Sequence, residues 1–184
     1  MNPDQLIQRY QELQKWIGWT PEDAERARSL TPVLEPILPM LVEDFYAELQ
    51  HHPPAARVIT GGEKQIERLK LSLIGWVRDL LSGDYDREYL LRRWRAGHRH
   101  VEIQLEQTFA NAALGRLRRL MLEQIQKVWC DEPERAILAS RSLSMLLDLD
   151  LAILGDAYHT EHMQRLQRQE RLAAIGQVAG GIAH

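Results

Sequence analysis

The sequence predicts an all-α protein, on the strength of three observations. Apolar residues recur at three- and four-residue steps along almost the whole chain, and we find no alternating pattern convincing enough to predict a β-strand. Thr-Pro pairs and an aspartate typical of helix starts precede several of these amphipathic segments. Residues 134–184 contain no proline, so they predict one long terminal helix.

The first third of the chain predicts three helices and a connector. An amphipathic helix covers about residues 3–18, and Thr-Pro pairs at 20–21 and 31–32 begin the next two. Pro36 and Pro39 are expected to bend the third helix near its start. Its apolar face comprises Leu34, Leu38, Leu41, Phe45 and Leu49. The following HHPPAARVITGG predicts a connector with one short helical turn at most.

Two longer helices follow. Residues 62–81 are clearly amphipathic, and the segment SGDYD ends that helix. Asp86 is expected to cap the next helix, which should break near residues 105–106. A further helix runs to about Cys130 and is stopped by DEP.

The last helix has two different halves. At about 1.5 Å per residue it would span roughly 75 Å if unbroken, more than a domain of this size covers. SLSMLLDLDLAILGDAY is apolar nearly all round and must bury two faces, either as a central core helix or, as we favour, at a dimer interface. EHMQRLQRQERLAAIGQV is charged with thin apolar spacing, which favours a coiled-coil linker.

Composition excludes several classes of protein. The net charge of -3 gives no support for a nucleic-acid surface. The single cysteine, Cys130, excludes an internal disulfide framework and favours a reducing compartment. We find neither an apolar signal core at the N-terminus nor an uninterrupted apolar stretch of membrane-spanning length, so we expect a cytoplasmic protein.

The segment RAGHRHVEIQLEQTF poses one local question. His98 and His100 lie two residues apart on a predicted helix, so they face different directions. His98 shares its face with Leu91, Trp94 and Val101, which makes it the better buried on apolarity alone. The residues by themselves leave both histidines open as inward-facing groups.

The C-terminal RLAAIGQVAGGIAH resembles the start of the dimerisation and phosphoacceptor segment of two-component histidine kinases. The resemblance implies that His184 accepts a phosphoryl group, for which a neutral imidazole is a suitable nucleophile. The acidic residue and Asn-Pro pair usual after that histidine are not reached, nor is an ATP-binding domain. We therefore expect a part of a longer protein, which alone does not phosphorylate itself.

The segment AGHRHVEIQLEQTF resembles the proximal-histidine signature of globin-coupled sensors. The matching positions are Gly97, His100, Ile103, Leu105 and Phe109. Gln104 stands where that family usually has glycine, and Gln107 where it usually has proline. EDFYAELQHHPPA and IERLKLSL are similar to the family's distal segments, and together the matches span roughly residues 30–150.

The resemblance implies a globin fold of the globin-coupled sensor type, with a long C-terminal helix and dimerisation through a four-helix bundle. Residues 1–160 would form the sensor domain, and 161–184 the signalling helix and the truncated start of the kinase segment.

It also implies haem b, iron protoporphyrin IX, as cofactor. His100 would coordinate the iron through Nε2, and its other ring nitrogen would donate to a backbone carbonyl or water. Tyr46 would donate to bound O2, Leu69 would lie over the haem, and Ser72 would sit where some members carry a second hydroxyl. Gly97 and Phe109 complete the expected haem-binding set.

Small residues support this choice of histidine, because a flat macrocycle must approach the helix closely beside its ligand. Ala96 and Gly97 precede His100 by one turn, whereas Trp94 and Arg95 precede His98. Together with the resemblance, these neighbours favour His100 as the ligand, with His98 off the iron.

The expected function is a haem-based oxygen or redox sensor of a histidine kinase. O2, CO, NO or cyanide would bind the iron of a homodimer. The change at the dimer interface would control autophosphorylation at His184, with ATP used only by the full-length protein and a response regulator as partner. Two alternatives stay open: a cofactor-free helical dimerisation and sensor domain of a kinase, and a haem enzyme such as a peroxidase or dioxygenase.

Overall fold

The structure is a computed structural model that describes residues 2–182, with side chains as far as Leu172. The described residues form nine α-helices and contain no β-strand, which confirms the predicted all-α class. The helices are α1 (Pro3–Ile17), α2 (Pro21–Ser29), α3 (Thr31–Leu34), α4 (Leu38–Gln50), α5 (Pro53–Ala56), α6 (Gly62–Leu80), α7 (Arg87–Glu102), α8 (Gln107–Val128) and α9 (Pro133–Ile182). His184, the predicted phosphoacceptor, lies outside the described residues.

The predicted helix starts are confirmed by their hydrogen bonds. The backbone N–H and the hydroxyl of Thr20 both donate to Asp23, each at 3.0 Å. The Asp86 carboxylate accepts from the backbone N–H of Tyr89 at 2.9 Å. These bonds satisfy donors that the start of a helix otherwise leaves free. Each of the two caps stabilises the protein by about 1 kcal/mol.

The third predicted helix is divided into three pieces, as its prolines indicated. A 3₁₀ turn, Glu35–Ile37, contains Pro36 and separates α3 from α4. The predicted apolar face is buried at Leu34, Leu38, Leu41 and Phe45, and half-buried at Leu49.

Two hydrophobic clusters form the core. The larger one joins α2, α3, α4, α6, α8 and α9, and it includes Tyr46. The smaller one lies between α1, α7 and α9, and consists of Leu6, Tyr10, Tyr89, Leu90, Leu149 and Ile153. Helix α9 contributes to both, and its contact with α7 is the most extensive between any two helices of the described chain.

The apolar half of α9 is largely covered within this one chain. Leu143, Leu146, Leu147 and Ala157 are fully buried. A second strip on the same helix stays half-buried, at Met145, Leu151 and Ala152. From residue 162 to residue 172 every side chain is exposed, so α9 leaves the core there. No helix in the described part of the chain is both long enough and apolar enough to cross a membrane.

Helix α7 ends in a tight turn at Gln104, the position where globin-coupled sensors usually have glycine. Leu105 N–H donates to the His100 carbonyl and Gln104 N–H to the Val101 carbonyl, both at 3.0 Å, which is the Schellman arrangement. Gln104 therefore adopts φ 58°, the left-handed region that favours glycine. Glutamine adopts this conformation at a cost in free energy, because its Cβ crowds the backbone.

Replacing Gln104 with glycine is therefore expected to stabilise the protein by about 0.5–1 kcal/mol, because removing the Cβ relieves more strain than the added chain entropy costs. The side chain is exposed, so no packing is lost. Chemical denaturation measures the effect. Gln11→Gly, at an exposed position inside α1, is the control and should cost about 1 kcal/mol of stability. If both glycine variants lose the same stability, Gln104 is not strained.

Candidate functional site

Tyr46 on α4 supplies a buried hydroxyl. Its ring packs edge-on against Phe45 at 5.1 Å between centroids, inside the larger core cluster. Burial raises the pKa of Tyr46 to about 12, so the hydroxyl stays protonated as a donor near neutral pH. Among the described residues no side chain or carbonyl hydrogen-bonds that hydroxyl, which leaves its donor capacity available.

Helix α6 presents apolar side chains to the larger core cluster. Ile66, Leu69 and Leu73 are half-buried and pack against the cluster that contains Tyr46. Ser72, one turn after Leu69, is exposed, and its hydroxyl donates to the Arg68 carbonyl at 3.0 Å. Its role as a second pocket hydroxyl stays a prediction.

His100 lies on the side of α7 that faces α6. Arg92 donates to Asp79 of α6 at 2.7 Å, and Arg93 to the Trp76 carbonyl of α6 at 3.0 Å. His100 follows Arg93 by seven residues, or about two turns, so it projects within about 20° of the Arg93 direction. Arg93 also pairs with Asp150 of α9, so the imidazole projects toward the space between α9 and α6, the helix that carries Leu69.

The His100 ring has the chemistry of a neutral ligand. Its Nδ1 is buried and has no hydrogen-bond partner in the described structure. Burial lowers the pKa of His100, so the ring is uncharged near neutral pH and keeps a lone pair. Nδ1 is the nitrogen expected to donate to a backbone carbonyl or water, and no carbonyl of the described chain accepts from it. A largely buried, neutral imidazole fits a haem ligand.

His98 faces a different part of the fold. Its ring packs edge-on against Trp94 at 4.3 Å, and Trp94 packs against the smaller cluster beside α1. Its Nε2 is also buried without a partner, so an unpaired nitrogen alone does not separate the two histidines. The direction of the side chain does, since only His100 projects with Arg93 toward α6.

Gly97 lies where α7 approaches α9 closely. A Cβ at this position would lie 2.9 Å from the Cβ of Ala157 and 3.4 Å from Cδ1 of Leu154, both on α9. Ala96, its neighbour, is exposed. The small residue thus serves the close approach of α7 to α9, and its place beside a macrocycle stays a prediction.

The end of α4 and the turn after α7 are joined on one side of the site. Phe109, half-buried in the first turn of α8, packs edge-on against His52 at 5.4 Å. Arg57 pairs with Glu106 at 2.7 Å. These contacts bring the segment that follows Tyr46 to the segment that follows His100, so both sides of the candidate pocket belong to one end of the fold.

Sequence reasoning missed a buried polar group between α7 and α9. Asp150 accepts from the Tyr89 hydroxyl at 2.6 Å, and its Oδ2 lies 3.0 Å from Nε of Arg93, an ion pair whose alignment falls short of a hydrogen bond. Burial raises the pKa of the Asp150 carboxyl, and the Arg93 guanidinium opposes that rise. The available signal was a pair of carboxylates, Asp148 and Asp150, within the apolar run LLDLDLAIL; either one needs a partner when buried.

Comparisons with known proteins agree with this arrangement. Residues 7–164 match the Protoglobin family. The chain is 30% identical over 157 residues to the heme-based aerotactic transducer HemAT of Halobacterium salinarum, an alignment that covers 78% of this chain and 32% of that protein. It therefore spans about a third of the length of that curated relative.

A solved structure is similar over most of its length. The globin domain of the Geobacter sulfurreducens globin-coupled sensor superposes with a TM-score of 0.76 at 29% identity, covering 80% of this chain and 96% of that one. The fold described above is thus the globin fold, with α9 continuing beyond it. The family match covers well over half of the chain, and from this we conclude that the chain belongs to the Protoglobin family.

Proposed function

We propose that this chain is a haem-based gas-sensing domain, with haem b held by His100. The observation that carries the proposal is the state of His100: a neutral, largely buried imidazole that shares one side of α7 with Arg93, which bonds to α6. The descriptions of the two relatives, a heme-based transducer and a globin-coupled sensor, support it further. Bound haem would supply an iron that takes O2, CO or NO when ferrous and cyanide when ferric.

In this proposal four residues have three roles: an iron ligand, a hydrogen-bond donor and apolar contacts to the haem. His100 provides the nitrogen, Tyr46 provides a protonated hydroxyl, and Leu69 and Phe109 provide apolar surface that excludes water. The test is the absorption spectrum of the purified chain after haem is added. A Soret band that shifts with CO and with O2 is expected, whereas no band after haem addition would leave the cofactor-free alternative.

The Tyr46 hydroxyl is expected to slow O2 release. Tyr46→Phe should speed O2 dissociation at least about tenfold, because a hydrogen bond to a partly negative ligand in an apolar site is worth roughly 1.5–3 kcal/mol. CO carries less charge, so its dissociation should change far less in the same variant. Stopped-flow or flash photolysis measures both rates. Equal changes for the two gases would mean that the hydroxyl does not act as a donor.

A homodimer is the second part of the proposal. Its support is the half-buried strip on α9, together with Ile137, which is 67% exposed, and Gly115 of α8, beside which there is open space for a close partner. These features fit a second copy packed along α8 and α9 in a four-helix bundle. Light scattering that gives the mass of one chain would rule this out.

The output we propose is a histidine kinase with His184 as phosphoacceptor. The support is the segment RLAAIGQVAGGIAH and the continuity of α9 as far as Ile182. In a longer protein with an ATP-binding domain, ATP would phosphorylate His184 and a response regulator would take the phosphoryl group. An acid-labile phosphate that is lost in His184→Gln is the expected result. A chain that continues into an aerotactic transducer, as HemAT is described, would overturn it.

A further inference from the structure

The contact between α7 and α9 has three successive parts. Asp150 meets Tyr89 and Arg93 in the buried polar group. One and two turns later along α9, Leu154 and Ala157 pack against Gly97 without room for another carbon atom. These two parts join regular helix to regular helix and leave little freedom for the helices to slide or separate.

The third part reaches the irregular turn beyond α7. The Tyr158 hydroxyl on α9 donates to the Leu105 carbonyl at 2.8 Å. Leu105 N–H in turn donates to the His100 carbonyl at 3.0 Å. Two hydrogen bonds in series thus connect the backbone of His100 with a side chain of α9.

Tyr158 stands where α9 leaves the core. Ala157 is buried, Tyr158 is half-buried, and His159 is exposed. Burial raises the pKa of Tyr158 to about 12, so the hydroxyl remains a donor at any physiological pH. The bond from Tyr158 therefore joins the turn after His100 to the last covered turn of the long helix.

We propose that Tyr158 is a positioning residue that couples the backbone beside His100 to the exposed part of α9. The inference rests on the proposed function, since it takes His100 as the haem ligand. The Gly97–Ala157 contact acts as a fixed point, because neither backbone can move closer there. His100 lies nearly one turn beyond that point, so a displacement of His100 changes the turn at Leu105 and, through the hydroxyl, the position of α9 at Tyr158.

Tyr158→Phe tests the coupling by removing one oxygen atom. Tyr85→Phe is the matched control, because Tyr85 also donates to a backbone carbonyl, that of Leu80 at 2.9 Å, without connecting α7 to α9. The measurement is hydrogen–deuterium exchange of residues 159–172 in the haem-loaded ferrous chain, with and without CO. Wild type and Tyr85→Phe should show a CO-dependent difference. In Tyr158→Phe that difference should fall about fivefold, the factor that corresponds to one net hydrogen bond.

A second readout separates coupling from simple loss of stability. The iron–histidine stretching frequency of the ferrous chain, measured by resonance Raman, should shift in Tyr158→Phe and stay unchanged in Tyr85→Phe. A wild-type difference in exchange that persists in Tyr158→Phe would overturn this inference while the gas-sensing proposal stands. The same holds if wild type binds haem and CO without any change in α9. Only the absence of a Soret band would remove the proposed function itself.

Discussion

Replacing His100 with alanine is expected to abolish the Soret band of the haem-loaded chain, whereas His98→Ala should retain it. The reason is directional: His100 projects with Arg93 toward α6, while His98 packs against Trp94 on the side of α1. Loss of the only covalent attachment to the iron leaves haem held by apolar contact alone, which we expect to weaken retention by orders of magnitude. Absorption spectra after gel filtration measure the retained haem.

The two alanine variants are well matched. Both remove an imidazole from the same helix, and both imidazoles have one buried nitrogen without a hydrogen-bond partner in the described chain. Alanine is a strong helix former, so neither change should disrupt α7. Added imidazole is expected to restore a Soret band to His100→Ala by occupying the vacated position. A band lost in His98→Ala and kept in His100→Ala would reverse the assignment.

The helices were predictable because their signals are local. The Thr20 and Asp86 caps, the proline break before α4 and the turn after α7 are each specified within a few residues of sequence, and all four are present. The position of Gln104 was predictable in the same way, as a departure from glycine. Its φ of 58° shows that the turn is formed with glutamine in place of glycine, and that the glutamine backbone is strained.

The candidate site was predictable in part. Tyr46 and Leu69 belong to one hydrophobic cluster, which includes residues of α4 and α6. What the sequence did not predict is which helix packs against Gly97. Gly97 is matched to Ala157, a residue 60 positions later, and no pattern within RAGHRH indicates which helix will approach it.

The histidine comparison shows the same limit. Apolar periodicity favoured His98, because Trp94 and Leu91 share its face. That face is indeed apolar, but it packs beside the cluster that includes Leu6 and Tyr10. An apolar face predicts burial and does not say against which helix. The direction of His100 became clear only from the bonds of Arg92 and Arg93 to α6.

The buried polar group is the feature that sequence could least predict, and it leads to the second large effect. Asp150→Ala is expected to destabilise the chain by about 3–5 kcal/mol, because it leaves the Arg93 guanidinium buried without its main counter-charge. Both side chains are only 5% exposed, so water cannot replace the missing carboxylate. Asp79, at 3.7 Å from Arg93, is the only other described carboxylate paired with it, and it already pairs with Arg92.

Thermal unfolding measures this effect, with a fall in Tm on the order of 10 °C expected for a chain of this length. Asp4→Ala is the control, because its pair with Arg87 joins α1 to α7 on the surface, where the two side chains are 82% and 50% exposed. Its cost should stay below about 1 kcal/mol. A double variant, Arg93→Met with Asp150→Leu, should recover most of the lost stability, since the penalty arises from one unpaired charge rather than from the missing pair. If the double variant is no more stable than Asp150→Ala, the cost lies instead in the Tyr89 hydroxyl left without its acceptor, and Tyr89→Phe in the same background should then restore it.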